Sequence, residues 1–483
     1  MTDTMRTRAD GPVESRRHSR VDSPVGGRAA RAAIGKAARG RAPLPSLGDL
    51  DAAPDRDPVG LLLRQDRTRV LDLVPVRHGR MLASPFAFYR GAAIVMAGDL
   101  ARTPASGLHV QLCGDAHLAN FGAFASPERR LVFDLNDFDE TLPGPFEWDV
   151  KRLVASFEIA ARENGYTRKE RRRIVLAVGR GYREAMRGFA DMSVLTLWYA
   201  HLDVEDALER YRADLPTSGY KAMQGLMVKA RKRDSTQALG KLTSVVDGRR
   251  RIISDPPLVV PVRELFPEMA DDLFTEIRTL LSSYERTLNP NRRHLLRQFE
   301  LVDIARKVVG VGSVGTAAWI LLLEADGGSE YLFLQAKEAQ ESVLAEHVGQ
   351  SDYAQQGERV VTGQRLMQAV SDIFLGWQRT TGVDGVDRDY YVRQLRDWKL
   401  SVPIEQMHPV GMRAYADLST WTLARAHART GDRFAIAAYL GGSDKFDHAM
   451  LDFAEAYADL NETDHAALAT AVADGRVRAR TGV

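Results

Sequence analysis

The 483-residue sequence contains a single cysteine, Cys113. One cysteine excludes a disulfide within the chain and any cysteine-cluster metal site, and it is typical of a reducing compartment, so we predict a cytoplasmic protein. No apolar run approaches the roughly 18 residues that a membrane-spanning helix needs, and the N-terminus lacks the apolar core of a signal peptide. We therefore expect no membrane association.

A strong excess of charge of either sign is also missing. The formal net charge is only +2, so the chain as a whole does not attract nucleic acid. The densest basic clusters of the central region, residues 229–233 and 249–251, have no aromatic residues between their charges, and we interpret them as solvated surface. We expect no nucleic-acid partner, and the sequence does not indicate an oligomeric state.

The first 55 residues lack aromatic side chains altogether and are rich in Arg, Gly, Ala, Pro and Ser. Such a segment cannot bury enough apolar surface to offset the entropy lost on ordering. We predict that residues 1–55 form a disordered basic tail whose arginine-rich stretch, residues 28–41, is solvated.

The rest of the chain has the pattern of a folded protein, and the whole sequence is 45% hydrophobic and 27% charged. The periodicity of its apolar residues predicts the following elements. Strands are predicted at residues 109–112, 131–133, 307–312, 317–324, 331–337, 373–377 and 390–395, and helices at 86–100, 149–157 with Asp149 as cap, 167–192 with a Thr167–Glu170 capping box, 357–370 and 415–429. We predict a catalytic region with an all-helical extension at 56–300, a small sheet at 301–405 and a helical region at 406–483.

The first chemical signal follows the strand at residues 109–112. Asp115 and Asn120 are five positions apart, and a second strand is followed by Asp134, Asp137 and Asp139. Phosphoryl-transfer enzymes use a D-x-x-x-x-N loop in which the aspartate orients the attacking hydroxyl and the asparagine holds a metal ion, while a later aspartate holds Mg²⁺. We predict Asp115 and Asn120 as catalytic residues and Asn120, Asp134 and Asp137 as metal ligands. The alternative is a polar turn, and the choice of Asp134 or Asp137 as main ligand stays open.

The second signal is the run GVGSVG at residues 310–315. A β-like apolar run follows it, which favours a phosphate-covering loop between two strands over the strand-to-helix turn of a dinucleotide-binding fold. Lys337 stands 22 positions after Gly315, where a lysine that contacts the phosphates is expected. We predict that Gly310, Gly312, Ser313, Gly315 and Lys337 bind a nucleotide. A plain hairpin is the alternative. The predicted carboxylate partner of Lys337 is Glu341, Glu346 or Glu358, of which Glu358 begins the next helix.

These residues carry a resemblance. The run CGDAHLAN at 113–120 resembles the H-G-D-x-H-x-x-N loop of aminoglycoside phosphotransferases and related protein-kinase-like enzymes, with Cys113 in place of the histidine, and FEWD at 146–149 looks like their downstream W-D motif. The resemblance implies that Asp115 is the catalytic base, that Asn120 and Asp137 bind metal, and that Asp149 braces the loop. Residues 84–91 and 390–396 also make the chain look like an uncharacterised bacterial family of unknown function.

The glycine-rich loop and its lysine follow the catalytic loop by about two hundred residues, whereas in kinases they precede it. The expected fold is therefore an α+β, protein-kinase-like two-lobed fold that is circularly permuted. The expected function is transfer of a phosphoryl group from ATP, with Mg²⁺, to a hydroxyl of a small molecule. Two alternatives stay open: a non-catalytic nucleotide-binding regulatory module, and a metal-dependent hydrolase built on the aspartate cluster and His117.

Overall fold

A computed structural model describes residues 26–213, 216–232, 235–308, 310–382, 385–395 and 398–482. It is an α+β fold. The helices are α1 (Arg28–Arg41), α2 (Pro58–Asp66), α3 (Val74–Met81), α4 (Pro85–Gly91), α5 (Ala93–Leu100), α6 (Phe146–Glu163), α7 (Arg168–Asp191), α8 (Val194–Tyr199), α9 (Val204–Arg210), α10 (Thr217–Arg231), α11 (Ser235–Leu242), α12 (Val262–Leu265), α13 (Ala270–Tyr284), α14 (Pro290–Leu296), α15 (Ala345–Val348), α16 (Gln356–Met367), α17 (Pro409–Thr430), α18 (Arg433–Leu440) and α19 (Lys445–Ala473). The strands are β1 (His109–Leu112), β2 (Phe121–Ala125), β3 (Leu131–Leu135), β4 (Leu142–Pro145), β5 (Leu202–Asp203), β6 (Thr243–Val246), β7 (Arg249–Ile252), β8 (Val259–Pro261), β9 (Glu300–Lys307), β10 (Ala318–Ala325), β11 (Glu330–Glu338), β12 (Gly376–Thr381) and β13 (Asp387–Gln394).

The largest hydrophobic core lies among long helices. Helix α7 packs against α17 and α19, and α6 is buried between them with residues such as Leu153 and Phe157 fully inaccessible. The capping box predicted at Thr167 is confirmed, because both reciprocal hydrogen bonds with Glu170 are present. Strands β1 and β4 pair at one edge of this core, and β2, β3 and β5 form a second small sheet.

The largest sheet has six antiparallel strands in the order β12-β13-β11-β10-β9-β8. The hairpin of β10 and β11 sets its register, with Leu321 opposite Leu334, and the turn at 325–329 lies where the sequence predicts it. Helix α13 covers one face through Phe274 and Tyr284. Helix α16 joins the two parts of the molecule, since it packs beside β12 and β13 while its Val360 belongs to the helical core.

The predicted disordered tail is wrong from residue 28 onward. Helix α1 packs against α18, and a Cβ on Gly35 would lie 1.9 Å from the carbonyl oxygen of Ala435, so glycine permits a very close approach. Arg39 donates hydrogen bonds to the carbonyl oxygens of Ala438 and Tyr439 at the end of α18. Small side chains and arginine contacts with carbonyl groups thus order a segment that lacks aromatic residues. Residues 1–25 of the predicted tail lie outside the described residues.

Four other predicted elements need correction. The strand predicted at 307–312 lies earlier in the chain, as β9 at Glu300–Lys307. The helix predicted at 86–100 is broken at Ala92, where φ is −112° and ψ is 35°. The strand predicted at 373–377 begins only at Gly376. The region up to residue 300 is not all-helical, because β6 and β7 form a hairpin around Asp247 and Gly248, both with positive φ, and β8 joins the six-stranded sheet. The Asp247-Gly248 pair is a strong hairpin signal, but the prediction rested on the spacing of apolar residues, which does not detect it.

Within the described ranges, no helix combines the length and apolarity needed to cross a lipid bilayer.

Candidate functional site

The loop after β1 carries the predicted catalytic residues. Gly114 turns the chain at φ +84°, and a Cβ at this position would lie 2.3 Å from the carbonyl oxygen of Glu140, so the turn requires glycine. The carboxylate of Asp149 accepts hydrogen bonds from the backbone N–H groups of Cys113 at 2.7 Å and Gly114 at 3.0 Å. These two bonds fix the start of the loop against helix α6.

The predicted capping role of Asp149 is therefore wrong. Helix α6 begins at Phe146, three residues earlier, and Asp149 lies in its first turn. Its carboxylate accepts hydrogen bonds from the two N–H groups of the loop and also contacts His427, whose Nε2 lies 3.2 Å from Asp149 Oδ2. The hydrogen bonds from Cys113 and Gly114 to Asp149 agree with the bracing of the loop that the resemblance implies for Asp149.

Asp115 is held by an arginine that the sequence analysis did not identify. Its Oδ1 accepts a hydrogen bond from Nε of Arg152 at 2.8 Å, and its Oδ2 lies 3.7 Å from Nε2 of His117. Burial raises the pKa of Asp115, and the charge of Arg152 opposes the shift without cancelling it. Asp115 is thus a stronger base than an exposed aspartate, with one oxygen committed to an ion pair.

Asn120 is oriented by the same loop. Its amide nitrogen donates to the carbonyl oxygen of Asp115 at 2.6 Å, and the residue, directly before β2, is 8% exposed. Because the nitrogen is directed at the loop, the amide oxygen is the atom that can serve as a metal ligand.

Lys337 on β11 meets the aspartate cluster. Its Nζ donates to Oδ2 of Asp139 at 2.6 Å and lies 3.7 Å from Oδ1 of Asp137. The hydroxyl of Tyr391, on the neighbouring strand β13, donates to the other oxygen of Asp139 at 2.7 Å. Residues from the two predicted motifs therefore lie in direct contact.

The prediction of Asp134 as a metal ligand does not fit the structure. Asp134 is 1% exposed, and both of its carboxylate oxygens accept hydrogen bonds from Arg425, at 2.7 and 2.9 Å. The backbone N–H groups of Leu135 and Ala369 donate to the same carboxylate. Both oxygens of Asp134 are therefore occupied by hydrogen bonds inside the core. Asp137, by contrast, lines the two cavities described below.

The predicted glutamate partner of Lys337 is also absent among the described residues, because Asp139 takes that position. Glu346 pairs with Arg64 instead, and Glu341 lines a cavity without contacting the lysine. At the start of α16 it is Arg359, next to Glu358, that points inward: it donates to the carbonyl oxygens of Asp139, Thr141 and Gln340. Arg359 thereby fixes the backbone that follows the aspartate cluster.

The glycine-rich loop is tied down by the N-terminal helices. The N–H of Val70 donates to the carbonyl oxygen of Gly315 at 2.7 Å, and Arg69 donates to that of Val314 at 2.5 Å. Ser313 Oγ donates to Oδ2 of Asp139 at 3.1 Å, which connects the loop to the aspartate cluster. The six-stranded sheet supplies the strands on either side of the loop, although β9 ends at Lys307, where the sequence predicted a strand to begin.

Two adjoining cavities lie between the loop and the aspartate cluster, and Arg90, Asn120, Asp137, Gly310 and Ser313 line both. The smaller, of about 110 Å³, is called the acidic cavity because its charged lining residues are Asp115, Asp137, Asp139, Glu140, Glu338, Glu341, Arg69 and Arg90. The larger, of about 580 Å³, is called the basic cavity because its charged lining residues are Arg90, Arg129, Arg292, Lys337, Arg393, Lys399, Asp137, Glu330 and Asp372. The basic cavity has the volume of a small-molecule site.

The proton affinities of the buried groups differ sharply. Burial favours a raised pKa for Asp139, but the charge and hydrogen bond of Lys337 outweigh it and lower the pKa to about 2. Burial raises the pKa of Glu140 to about 7, against the opposing N–H of Val343. Burial and the charge of Arg90 lower the pKa of His117, which is therefore a neutral imidazole at pH 7.

Two side chains of the site, Asp137 and Asn120, have the donor atoms to hold a magnesium ion. No group of three or more His, Cys, Asp or Glu side chains in the described part of the chain has the geometry of a metal site. Asp137 Oδ1 is nevertheless a buried oxygen without a hydrogen-bond partner among those residues, and Asn120, which offers an amide oxygen, lines the same two cavities. Mg²⁺ commonly takes one or two protein carboxylates and completes its shell with water and substrate phosphates, so these donors suit it when a nucleotide is bound.

Four residues of the site were missed as functional candidates. Arg152 and Arg359 sit on predicted helices, where periodicity gives no reason to assign a charged side chain to the interior. Tyr391 belongs to the run at 390–396 that resembles the uncharacterised bacterial family, and that resemblance was the available signal. Arg90 likewise belongs to the run at 84–91.

The fold and the site together define an α+β protein with a cleft between a helical core and an antiparallel sheet. A family model described as an uncharacterized protein conserved in bacteria (DUF2252) matches residues 69–471, and the chain belongs to this family. Neither a curated protein nor a solved structure matches the chain.

Proposed function

We propose that this protein transfers a phosphoryl group from ATP to a hydroxyl of a small molecule, with Mg²⁺, on a kinase-like permuted fold. The observation that carries the proposal is that Lys337 contacts Asp139 directly, while the glycine-rich loop, Asp137 and Asn120 line the cavities beside them. Phosphoryl transfer depends on positioning and on charge stabilisation, and these are the parts that it uses.

The basic cavity is the proposed nucleotide site. Lys337 and the glycine-rich loop line it, and its excess of cationic side chains suits a polyphosphate. Leu332, Phe374 and Leu395 add apolar surface in the same cavity, which suits a base. The nucleotide phosphates would point toward Asp137 and Asn120, where the two cavities meet.

Asp115 is the proposed base. It would accept the proton of the acceptor hydroxyl as the acceptor oxygen bonds to the γ-phosphorus. The bond from that phosphorus to the β,γ-bridging oxygen breaks, and ADP leaves with the electron pair. Bound Mg²⁺ would neutralise phosphate charge, held by Asp137 and Asn120. The raised pKa of Asp115 suits a residue that takes up a proton.

One observation favours a second candidate, a nucleotide-binding module without transfer activity. Arg152 forms an ion pair with Asp115 and so commits one carboxylate oxygen of the proposed base to a contact within the protein. The hydrolase alternative has less support, because His117 is buried beside Phe86 and Asp134 of its aspartate cluster is committed to Arg425.

The direct test is ADP formation from MgATP by the full chain in the presence of a panel of hydroxyl compounds. We expect at least one compound to raise the rate above the ATP-only background, and Asp115→Asn to reduce the acceptor-dependent rate by about 10²–10⁴-fold because the general base is lost. Asp474→Asn, which removes an exposed carboxylate from the end of α19, is the matched control. Tight MgATP binding with no turnover for any compound would favour the binding module instead.

A further inference from the structure

Arg90, at the end of helix α4, lies where the cavities of the protein meet. It lines the acidic cavity, the basic cavity and a third cavity of about 410 Å³ that is bounded by Ala119 and Tyr415. The run at 84–91 that contains it comes before the catalytic loop and belongs to neither of the two predicted motifs.

The guanidinium of Arg90 has no protein partner in the described part of the chain. Its Nε is buried without a hydrogen bond, and no carboxylate of the described residues forms an ion pair with it. The contrast with Arg152 is direct, because Arg152 donates both to Asp115 and to the carbonyl oxygen of Tyr89. A largely buried cation without a partner is costly, so a bound anion is the most direct reason for its position.

The surroundings define where that anion lies. The glycine-rich loop lies close to the backbone of Arg90, since a Cβ on Gly312 would lie 3.1 Å from the carbonyl oxygen of Arg90. Burial lowers the pKa of Arg90, and the charges of Asp115, Asp137 and Glu405 oppose that shift. Arg90 therefore lines the acidic cavity together with the glycine-rich loop, the proposed base Asp115 and the proposed metal ligand Asp137.

We propose that Arg90 is a catalytic residue that binds the terminal phosphoryl group of the nucleotide during transfer. This inference rests on the proposed function and assigns the γ-phosphate to the junction of the acidic and basic cavities. Arg90 makes no covalent bond: it donates hydrogen bonds to the nonbridging oxygens, whose negative charge it offsets while the acceptor oxygen replaces the bridging oxygen of ADP at phosphorus.

The test compares the affinities of MgATP and MgADP by titration calorimetry on the full chain, because only ATP carries the γ-phosphate. We expect Arg90→Gln to lower the ATP affinity by about tenfold or more, the loss typical of a hydrogen bond to a charged group, with the ADP affinity unchanged. Arg90→Lys should recover part of the ATP affinity because it keeps the charge. Arg102→Gln, which removes an exposed arginine from the same N-terminal region, should change neither affinity.

Each outcome separates this inference from the proposed function. Equal losses of ATP and ADP affinity in Arg90→Gln, or no loss of either, would overturn the assignment of Arg90 to the γ-phosphate and leave the nucleotide site standing. A wild-type protein that binds neither nucleotide would overturn the proposed function, and the assignment of Arg90 with it. Superimposable melting curves of the wild type and Arg90→Gln without nucleotide would show that the variant is folded.

Discussion

Lys337 and Asp139 are 198 positions apart in the sequence, and their side chains lie 2.6 Å apart. The lysine side chain is 3% exposed and the aspartate side chain 27% exposed, so the pair is largely removed from water. Tyr391 and Ser313 donate to the same carboxylate. One carboxylate therefore holds the six-stranded sheet, the glycine-rich loop and the segment after β3 in a fixed relation.

This pair should show strong coupling in unfolding experiments. Lys337→Met leaves the Asp139 carboxylate without its cation, and we expect a loss of about 3 kcal/mol of stability, at the low end for a buried pair because Asp139 retains some exposure. The double variant Lys337→Met/Asp139→Asn should recover much of that loss. Urea unfolding of the wild type, both single variants and the double variant measures the coupling. If the stability loss of the double variant equalled the sum of the losses of the two single variants, a direct interaction between Lys337 and Asp139 would be contradicted.

Without ligand, substitution of the two candidate metal aspartates should affect stability to different extents. Asp134→Asn leaves Arg425 buried with a weakened partner, and we expect a loss of about 3–5 kcal/mol. Asp137→Asn should change stability by less than about 1 kcal/mol, because that side chain is 32% exposed and its ion-pair contact is Lys337 at 3.7 Å. Thermal melts of the two proteins provide the comparison. A larger loss for Asp137→Asn than for Asp134→Asn would show that the assignment of their roles is inverted.

Glu140 should give the protein a characteristic pH dependence. Burial raises its pKa from 4.5 to about 7, so the folded state retains a proton that the unfolded state releases between these values, and stability falls as the pH rises through that window. Glu140→Gln lacks this proton and should gain stability relative to the wild type between about pH 5 and about pH 8. The measurement is the urea midpoint at both pH values, with the exposed Glu128→Gln as control. A constant difference between Glu140→Gln and wild type would contradict the raised pKa.

The contact of helix α1 with α18 can be tested with two glycines of the same helix. A Cβ on Gly35 would lie 1.9 Å from the carbonyl oxygen of Ala435, and we expect Gly35→Ala to lose about 1–3 kcal/mol because the two helices must move apart. Gly40 has open space around its Cβ position, so Gly40→Ala should be neutral or gain about 0.5–1 kcal/mol. Equal stability changes in Gly35→Ala and Gly40→Ala would mean that α1 does not pack on α18 in solution.

The sequence predicted the local elements better than their partners. Strand β1, the capping box at Thr167 and the β10–β11 hairpin follow from short-range patterns, because each depends on neighbouring residues. Helix α1 was missed for the opposite reason: its stability comes from contacts with α18, some four hundred residues away, which composition does not show.

The sequence identified most residues of the candidate site but not which of them contact one another. The sequence singled out Asp115, Asn120, Asp137 and Lys337, and all four line the two adjoining cavities. The lysine partner was sought on the following helix, whereas the fold supplies it from the segment after β3. Asp134 and Asp137 carry the same side chain three positions apart, and only the direction of each side chain distinguishes a core ion pair from a cavity residue.

The most direct test of the central claim, that these residues form one MgATP site, is the thermal stability of the full chain with and without ATP and Mg²⁺. A ligand at a hundredfold excess over its dissociation constant stabilises the folded state by about 2.7 kcal/mol. We predict a stabilisation that requires both ATP and Mg²⁺, that loses its Mg²⁺ dependence in Asp137→Asn and that disappears in Lys337→Met, each relative to its own ligand-free state. An unchanged wild-type melting temperature, or a shift that persists in both variants, would contradict the account.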